Sequence, residues 1–326
     1  MNQPLRAALA ALLAAFSGAS VLAQSPPACP PAAQAPSPER IRSAMRDARD
    51  HGFLWRISKN GRSSWLFGTL HVAKFDWMFP GPEVGKALNA SRVIALEMDL
   101  LDPEIMRRMT QGMAVSAGAA LPEALQQRLL RQADAECFAR PALAAMLPEM
   151  QVATLTTLVG RRDELDPAYG IDIFLAGWGH GTQRPVVSLE TPELQLKLLQ
   201  MTSPAETIEY VQSALDDLES GRAQPALRQI AQVWADGDWN ALRDYATWCD
   251  CLKTPADRAA MTRLLDERNP ALAEAIDALH AGGKTVFAAV GSLHMIGTTG
   301  LPTLMAARGY RVERIVYPQK PQETTP

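Results

Sequence analysis

The 326-residue sequence lacks several features that would place it in a familiar class of proteins. Aromatic residues make up only 6%, and a formal net charge of −3 with dispersed basic residues gives no electrostatic footprint for nucleic acid or an anionic membrane. Beyond the first residues, no apolar run is long enough to form a transmembrane span. The hydrophobic content of 47% nevertheless suffices for a substantial core. We therefore expect a globular protein without stable membrane insertion, whose partner is a peptide, a small molecule or another protein and not a nucleic acid.

Residues 1–23 have the pattern of a secretory signal peptide. Arg6 supplies the positive start, residues 7–16 form an apolar stretch too short to span a bilayer, and residues 21–23 provide a small-residue cleavage site. A flexible linker rich in Pro, Ala and Ser is predicted over residues 24–38. The sequence thus predicts a periplasmic or secreted protein.

Cysteine is also scarce, with only Cys29, Cys137, Cys249 and Cys251 present. An oxidising compartment permits disulfides, and four cysteines allow three pairings. Because a bond between residues as close as Cys249 and Cys251 is expected to be strained, the sequence favours Cys137 paired with one of these two. The alternative, a Cys-x-Cys metal or redox site, lacks a second cysteine pair to complete a tetrahedral ligand set.

The chain alternates short apolar runs with helical patterns, which predicts a single α/β domain over residues 39–317, built on a central mixed β-sheet flanked by helices. Asn60-Gly61 indicates a hairpin between the first two strands. A large helical insertion is predicted at about residues 192–283, the last strand is expected at an edge of the sheet, and residues 318–326 are expected to form a disordered tail. The runs typical of strands are residues 54–58, 64–67, 93–97, 185–189, 285–290 and 311–317.

A Gly-x-x-His pattern occurs twice, as Gly68-Thr69-Leu70-His71 and Gly291-Ser292-Leu293-His294, each time directly after an apolar run. The sequence has only five histidines, so two matching contexts far apart in the chain suggest that the fold brings both imidazoles into one site. Glycine allows the backbone to turn sharply and a ligand to come close. The hydroxyl residue that follows each glycine would fasten this turn by hydrogen bonds to the backbone.

Four polar residues follow predicted strands, namely His71, Glu97, Glu190 and His294. In open α/β sheets, ligands bind in the crevice at the carboxyl ends of the strands. Two neutral imidazoles and one carboxylate are a common ligand set for a divalent metal such as Zn, Mn or Co, with positions left open for water and substrate. A carboxylate outside the metal shell would serve as general base for that water. The sequence therefore predicts a metal centre.

Further segments accompany these motifs across residues 54–316, namely residues 65–72, 94–97, 170–172, 189–195, 268–269 and 290–294, with Gly297 and Gly300-Leu301. As a set and in this order they resemble the TraB/GumN family. The animal relatives of that family are the Tiki proteases, and it lies within a broader EreA/ChaN-like group of erythromycin esterases and haem-binding proteins.

The resemblance implies an EreA/ChaN-like α/β fold and a metal-dependent hydrolase of the Tiki kind, which would cleave a peptide, amide or ester bond. His71 and His294 match the motif histidines and are the expected metal ligands. Glu97 matches the family glutamate, which would act as a ligand or as general base. Gly68 and Gly291 would support the histidines from the second shell of the centre.

Two pairs of polar residues complete the expected site. Arg268 and Asn269 match a polar pair of the family that would bind a developing oxyanion or a substrate carboxylate. From chemistry rather than from the resemblance, Asp172 and Glu190 are expected to lie in the second shell and orient the imidazoles.

Several of these residues also have a purely structural interpretation. Glu97 lies in an apolar run, where a salt bridge to an arginine would satisfy a buried carboxylate without a metal. Glu190 would cap the helix that begins after it, and Asn269 would be the N-cap before Pro270. Arg268 would then pair with a neighbouring acidic residue on the surface.

The remaining histidines, His51, His180 and His280, lie in polar contexts and are expected at the surface. A different class of function also fits the sequence, namely a non-catalytic periplasmic protein that sequesters a peptide signal, haem or a metal.

Overall fold

The computed structural model describes residues 29–113, 121–201, 203–249, 251–252 and 255–318. The predicted signal peptide and residues 319–326 of the predicted tail lie outside these residues. Within them the chain forms the expected α/β fold, a six-stranded mixed sheet flanked by helices. None of the described helices is both long and apolar enough to cross a bilayer.

The sheet has the strand order β4-β3-β5-β2-β1-β6. Strands β1 and β2 form the predicted antiparallel hairpin, in which Asn60 and Gly61 have φ values of 54° and 73°. These left-handed conformations are the ones that an Asn-Gly turn favours. Strand β6 pairs with β1 at an edge of the sheet, as expected. The strands are β1 (Phe53–Lys59), β2 (Arg62–Thr69), β3 (Val93–Leu96), β4 (Val186–Ser188), β5 (Val286–Gly291) and β6 (Arg311–Ile315).

Strands β2, β5, β3 and β4 are parallel neighbours, so their carboxyl ends share one edge of the sheet. Strand β5 lies between β2 and β3, with Gly291 opposite Thr69 and Ala289 opposite Leu96. The apolar run from Val286 to Val290 is buried throughout, as expected for a strand covered on both faces. The end of β5 is consequently flanked by the ends of β2 and β3.

Helices fill both long connections between the parallel strands. The predicted helical insertion of residues 192–283 contains α8 to α14, and a second set of helices, α3 to α7, lies between β3 and β4. A π-helical turn, Thr262–Asp266, follows α13. The helices are α1 (Pro38–Arg46), α2 (Pro82–Ala90), α3 (Pro103–Met113), α4 (Glu123–Ala135), α5 (Arg140–Ala144), α6 (Pro148–Leu158), α7 (Ile171–Gly181), α8 (Pro192–Leu199), α9 (Pro204–Glu219), α10 (Ala223–Asp236), α11 (Trp239–Arg243), α12 (Tyr245–Trp248), α13 (Pro255–Met261), α14 (Asn269–Ala281) and α15 (Leu301–Ala307).

Two groups of apolar side chains hold these layers together. The larger one packs the sheet against α2, α7, α14 and α15. The smaller one lies among the helices and includes Leu129 of α4, Leu155 of α6 and Leu215 of α9, which are all buried. Because these helices come from both insertions, the two insertions form one joint layer with a core of its own.

The surface position predicted for His280 is wrong, because this side chain is only 1% exposed. Burial lowers the pKa of His280, which favours the neutral ring. Its Nε2 donates to the carbonyl of Lys59 and its Nδ1 accepts from the Ser64 hydroxyl at 2.9 Å. Ser64 in turn accepts from the amide of Val286 at 3.0 Å. His280 therefore connects the end of α14 to β2 and β5.

The other two histidines differ from each other. His180 is exposed, as expected, and its Nε2 lies 2.7 Å from Asp99 Oδ2. His51 is half-buried, with its Nδ1 2.7 Å from the carbonyl oxygen of Ala235.

The cysteine pairing favoured by the sequence is also wrong. Cys29 is bonded to Cys137, and Cys249 is bonded to Cys251, with Cα atoms 5.6 and 5.1 Å apart, respectively. The short connection thus spans a Cα separation that is typical of disulfides. The first bond, together with a hydrogen bond from the amide of Ala33 to Asp166, attaches the described part of the predicted linker to the domain.

We predict unequal contributions of the two disulfides to stability. Replacing Cys29 and Cys137 with alanine should lower the free energy of unfolding by about 2–4 kcal/mol, because this bond closes a long loop. The matched control replaces Cys249 and Cys251, which are two residues apart, so their bond restricts the unfolded chain little and its loss should cost less. Urea unfolding of the oxidised proteins measures both values, and equal losses would contradict the prediction.

Candidate active site

Three predicted site residues, one from each of three neighbouring strand ends, meet around Gly291. His71 follows β2, Glu97 follows β3 and His294 follows β5. A Cβ atom on Gly291 would lie 3.4 Å from Glu97 Oε1, 3.7 Å from His71 Nε2 and 3.7 Å from His294 Cδ2. The structure thus brings both motif histidines and the glutamate to one point, where glycine leaves the space open.

The two Gly-x-x-His segments are bonded directly to each other. A Cβ atom on Gly68 would lie 2.8 Å from Ser292 Oγ, so the close approach of the two segments requires glycine there. The Ser292 hydroxyl donates to the carbonyl of Thr69 at 2.9 Å. The indole nitrogen of Trp234 donates to the carbonyl of Gly68 at 2.8 Å. Ser292 thus stabilises the turn of the Gly68–His71 segment, and not the turn of its own segment as the sequence predicted.

Asp172 orients His71, as expected from the sequence. Asp172 lies in the first turn of α7, and its Oδ2 is 2.7 Å from His71 Nδ1, while its Oδ1 accepts from the Thr69 hydroxyl at 2.6 Å. The negative charge of Asp172 and its hydrogen bond to the ring raise the pKa of His71 to about 9. The side chain of His71 remains 68% exposed, and its Nε2 faces the space beside Gly291.

Asn269 holds His294 in a more enclosed environment. The ring of His294 is 3% exposed, and burial lowers its pKa to about 4, so the ring is neutral near pH 7. Its Nδ1 donates to Asn269 Oδ1 at 2.6 Å, which leaves a lone pair on Nε2, 3.9 Å from Glu97 Oε1. Asn269 is the first residue of α14, and Arg268 occupies the N-cap position. The predicted cap role of Asn269 is therefore wrong, and its side chain positions the histidine instead.

Arg268 is bonded to two buried carboxylates. Its Nη2 donates to Glu97 Oε2 at 2.6 Å and also contacts Glu190, and its Nε donates to Glu190 Oε1 at 2.9 Å. Its Nη1 donates to the carbonyl of Leu264 at 2.9 Å. Arg268 therefore forms an internal salt bridge and not the surface pair that its structural interpretation predicted. The structural interpretation of Glu97, a salt bridge to an arginine, is confirmed.

Glu190 fixes this arginine rather than an imidazole. It shares the Nε2 group of Gln195 with Glu97, at distances of 3.0 and 3.2 Å, respectively. The cap of α8 is Thr191, whose hydroxyl accepts from the amide of Leu194, so the predicted cap role of Glu190 is wrong. Gln195 was not predicted as a site residue, because its only signal was its position in the family segment 189–195.

The site carries an excess of negative charge. Asp172, Glu97 and Glu190 face the Arg268 guanidinium and, at neutral pH, the protonated ring of His71, so one negative charge remains. Loss of the His71 proton would leave two. Burial opposes ionisation of Glu97, but the charges of His294, His71 and Arg268 and the amide of Gly291 lower its pKa to about 2. Glu97 is therefore a carboxylate at neutral pH.

The donor atoms of the site suit a divalent metal, although they do not form a complete coordination shell. Across the part of the chain that the structure describes, no three His, Cys, Asp or Glu side chains already stand in a metal-binding arrangement. His71 and His294 each present Nε2 while a partner holds Nδ1, which is the usual state of metal-ligating histidines. Among the described residues, Glu97 Oε1 accepts one hydrogen bond, from the amide of Gly291 at 2.7 Å, and so keeps one acceptor position.

These groups form the floor of a cleft of about 710 Å³, within the range of ligand-binding pockets. Its walls come from helices of both insertions. Cleft and donors together define the class of this protein as an α/β protein with a histidine–carboxylate site at the carboxyl edge of its parallel strands.

The chain belongs to the TraB/PrgY/gumN family, whose model matches residues 53–314. The match covers all six strands, apart from the last residue of β6, and the whole site, which confirms the resemblance seen in the sequence. No curated protein and no solved structure matches the chain.

We predict that Asp172→Asn lowers the pKa of His71 from about 9 toward its ordinary value of about 6.5, because the substitution removes the charge beside Nδ1. Titration of the ring signals by NMR in chelator-treated, metal-free protein measures this pKa directly. The matched control is Asp99→Asn, which removes the carboxylate beside the exposed His180 and should leave His71 unchanged. An unaltered His71 pKa in Asp172→Asn would show that the carboxylate does not set it.

Proposed function

We propose that this protein is an exported, metal-dependent hydrolase that cleaves a peptide, amide or ester bond. The observation that carries the proposal is the meeting of two imidazole Nε2 atoms and one ionised carboxylate beside Gly291. Such a set supplies both metal ligands and a proton acceptor at the floor of a ligand-sized cleft.

His71 and His294 would hold a divalent metal such as Zn, Mn or Co, with Glu97 Oε1 as a further ligand or as general base. The uncompensated negative charge of the site, which becomes two charges once His71 loses its proton, favours a divalent cation. Such an ion supplies polarisation of the scissile carbonyl and a lower pKa for a bound water.

The other side chains prepare the site for this chemistry. Arg268 holds the Glu97 carboxylate in place, and the second N–H of its Nη1 is the group with which it would stabilise charge on the substrate. Gly291 leaves space for the scissile group, because any side chain there would contact all three reacting residues. Asp172 and Asn269 fix the orientation of the two rings.

The disulfides support the proposed export. All four cysteines are paired, and stable disulfides are typical of oxidising compartments such as the periplasm or the extracellular space. This agrees with the signal peptide predicted at residues 1–23, and the substrate would be a peptide or a small molecule of that compartment.

Two observations favour a second candidate, a periplasmic protein that sequesters a peptide signal, haem or a metal without catalysis. The donors of the site are not yet arranged as a metal shell in the described residues, and most of the cleft is apolar. Such a cleft would retain a ligand even if Glu97 served only as a structural partner of Arg268.

The metal part of the proposal predicts that His71→Ala and His294→Ala each lose bound metal without unfolding. Metal content is measured by mass spectrometry on protein purified without chelator, alongside circular dichroism. His180→Ala is the matched control, because it removes another histidine paired with an aspartate but outside the cleft. Full metal content in either site variant removes that histidine from the ligand set.

The catalytic part predicts that Glu97→Gln lowers kcat/KM on peptide and ester substrates by about 10²–10⁴-fold, because the amide cannot accept a proton. Glu193→Gln, which changes an exposed carboxylate paired with Arg108, should retain activity. A substrate that binds to the wild-type protein but is not cleaved would favour the binding protein instead.

A further inference from the structure

Polar and apolar side chains line different parts of the cleft. Polar side chains occupy its floor, whereas the walls present aliphatic and thioether groups from helices of both insertions. Many of these wall side chains are half-buried, so the protein itself does not fully cover them. They include Met109 of α3, Leu198 and Leu199 of α8, Ile230 of α10, and Leu264 and Leu265 of the π-helical turn.

The helical walls of the cleft offer few free backbone groups to a peptide. The walls are helical, so their amide and carbonyl groups are largely bonded within each helix. The strand residues that reach the lining, Thr69 and Gly291, already pair with each other inside the sheet. A peptide in this cleft would bury amide groups without partners, at a cost that a hydrocarbon chain does not have.

We propose that the substrate is a neutral ester of a medium or long fatty acid, whose acyl chain lies along these helical walls. The inference rests on the proposed hydrolase function and specifies its substrate class. The ester carbonyl would lie beside Gly291, within reach of His71, Glu97 and His294. Water would add to the acyl carbon as its bond to the alcohol oxygen breaks, giving a carboxylate, an alcohol and one proton, with no change of oxidation state.

The wall side chains suit a flexible chain of variable length. Leucine and methionine adapt their rotamers to irregular apolar ligands, and Met109 and Met261 both line the cleft. Each additional buried methylene contributes about a fourfold gain in binding. Because the chain would remain bound to the same walls in the transition state, this gain should appear in kcat/KM.

The first test measures kcat/KM on p-nitrophenyl esters of acetate, butyrate, octanoate and dodecanoate, with protein purified without chelator. We expect about a fourfold rise per methylene until the chain fills the cleft. Octanoyl p-nitroanilide, a simple fatty amide, and short apolar peptides are assayed in parallel. A higher kcat/KM on the peptides than on the esters would overturn the proposal.

The second test uses two substitutions on one helix. Leu199→Trp adds volume inside the cleft and should lower kcat/KM on the octanoate ester at least tenfold, about the effect of losing a few buried methylenes. The acetate ester, which does not reach this wall, should be affected less than threefold. Leu194→Trp makes the same change at an exposed position of α8 and should leave the profile unchanged. Equal profiles for the two variants would overturn the acyl site.

A binding measurement separates this inference from the proposed function. Calorimetry of dodecanoate with Glu97→Gln protein should show binding with a negative heat-capacity change, lost in the double variant Glu97→Gln, Leu199→Trp. Such binding without hydrolysis of any ester would support the acyl site and contradict the hydrolase. Hydrolysis independent of chain length would contradict the acyl site alone, and absence of both binding and hydrolysis would overturn both.

Discussion

The parallel pairing of β5 between β2 and β3 is the constraint on which the candidate site depends. This order places the last residue of β5, Gly291, between the ends of two neighbouring strands. Gly291 then has Glu97 on one side and His71 on the other, with His294 reached by the short turn that follows. Residues far apart in the chain meet because backbone hydrogen bonds fix the register of three strands.

The site adds electrostatic constraints to this backbone frame. Burying Glu97 and Glu190 is unfavourable unless each has a charged partner, and both use Arg268 at the start of α14. The same helix carries Asn269, which orients His294. The position of α14 is therefore coupled to both the carboxylate and the imidazole. Its preceding π-helical turn contributes Leu264 and Leu265 to the apolar walls, so one segment connects the polar floor with the proposed acyl site.

The sequence predicted the parts of the structure that follow from local patterns. Buried apolar runs, the Asn-Gly turn and paired Gly-x-x-His segments gave the sheet, the hairpin and the convergence of His71 with His294. The sequence did not predict most contacts between side chains of distant segments. Nothing local indicates that Cys29 reaches Cys137, or that Ser64 and Lys59 enclose His280. Asn269 has a good local sequence for a cap, yet the tertiary partner His294 determines its role.

The central claim, that the two imidazoles share one divalent metal, is tested most directly by anomalous X-ray diffraction from crystals of the protein grown with Zn²⁺. The account predicts one strong peak beside Gly291, about 2.0–2.1 Å from Nε2 of both His71 and His294. A fully occupied zinc elsewhere, with no peak between these rings, would contradict it.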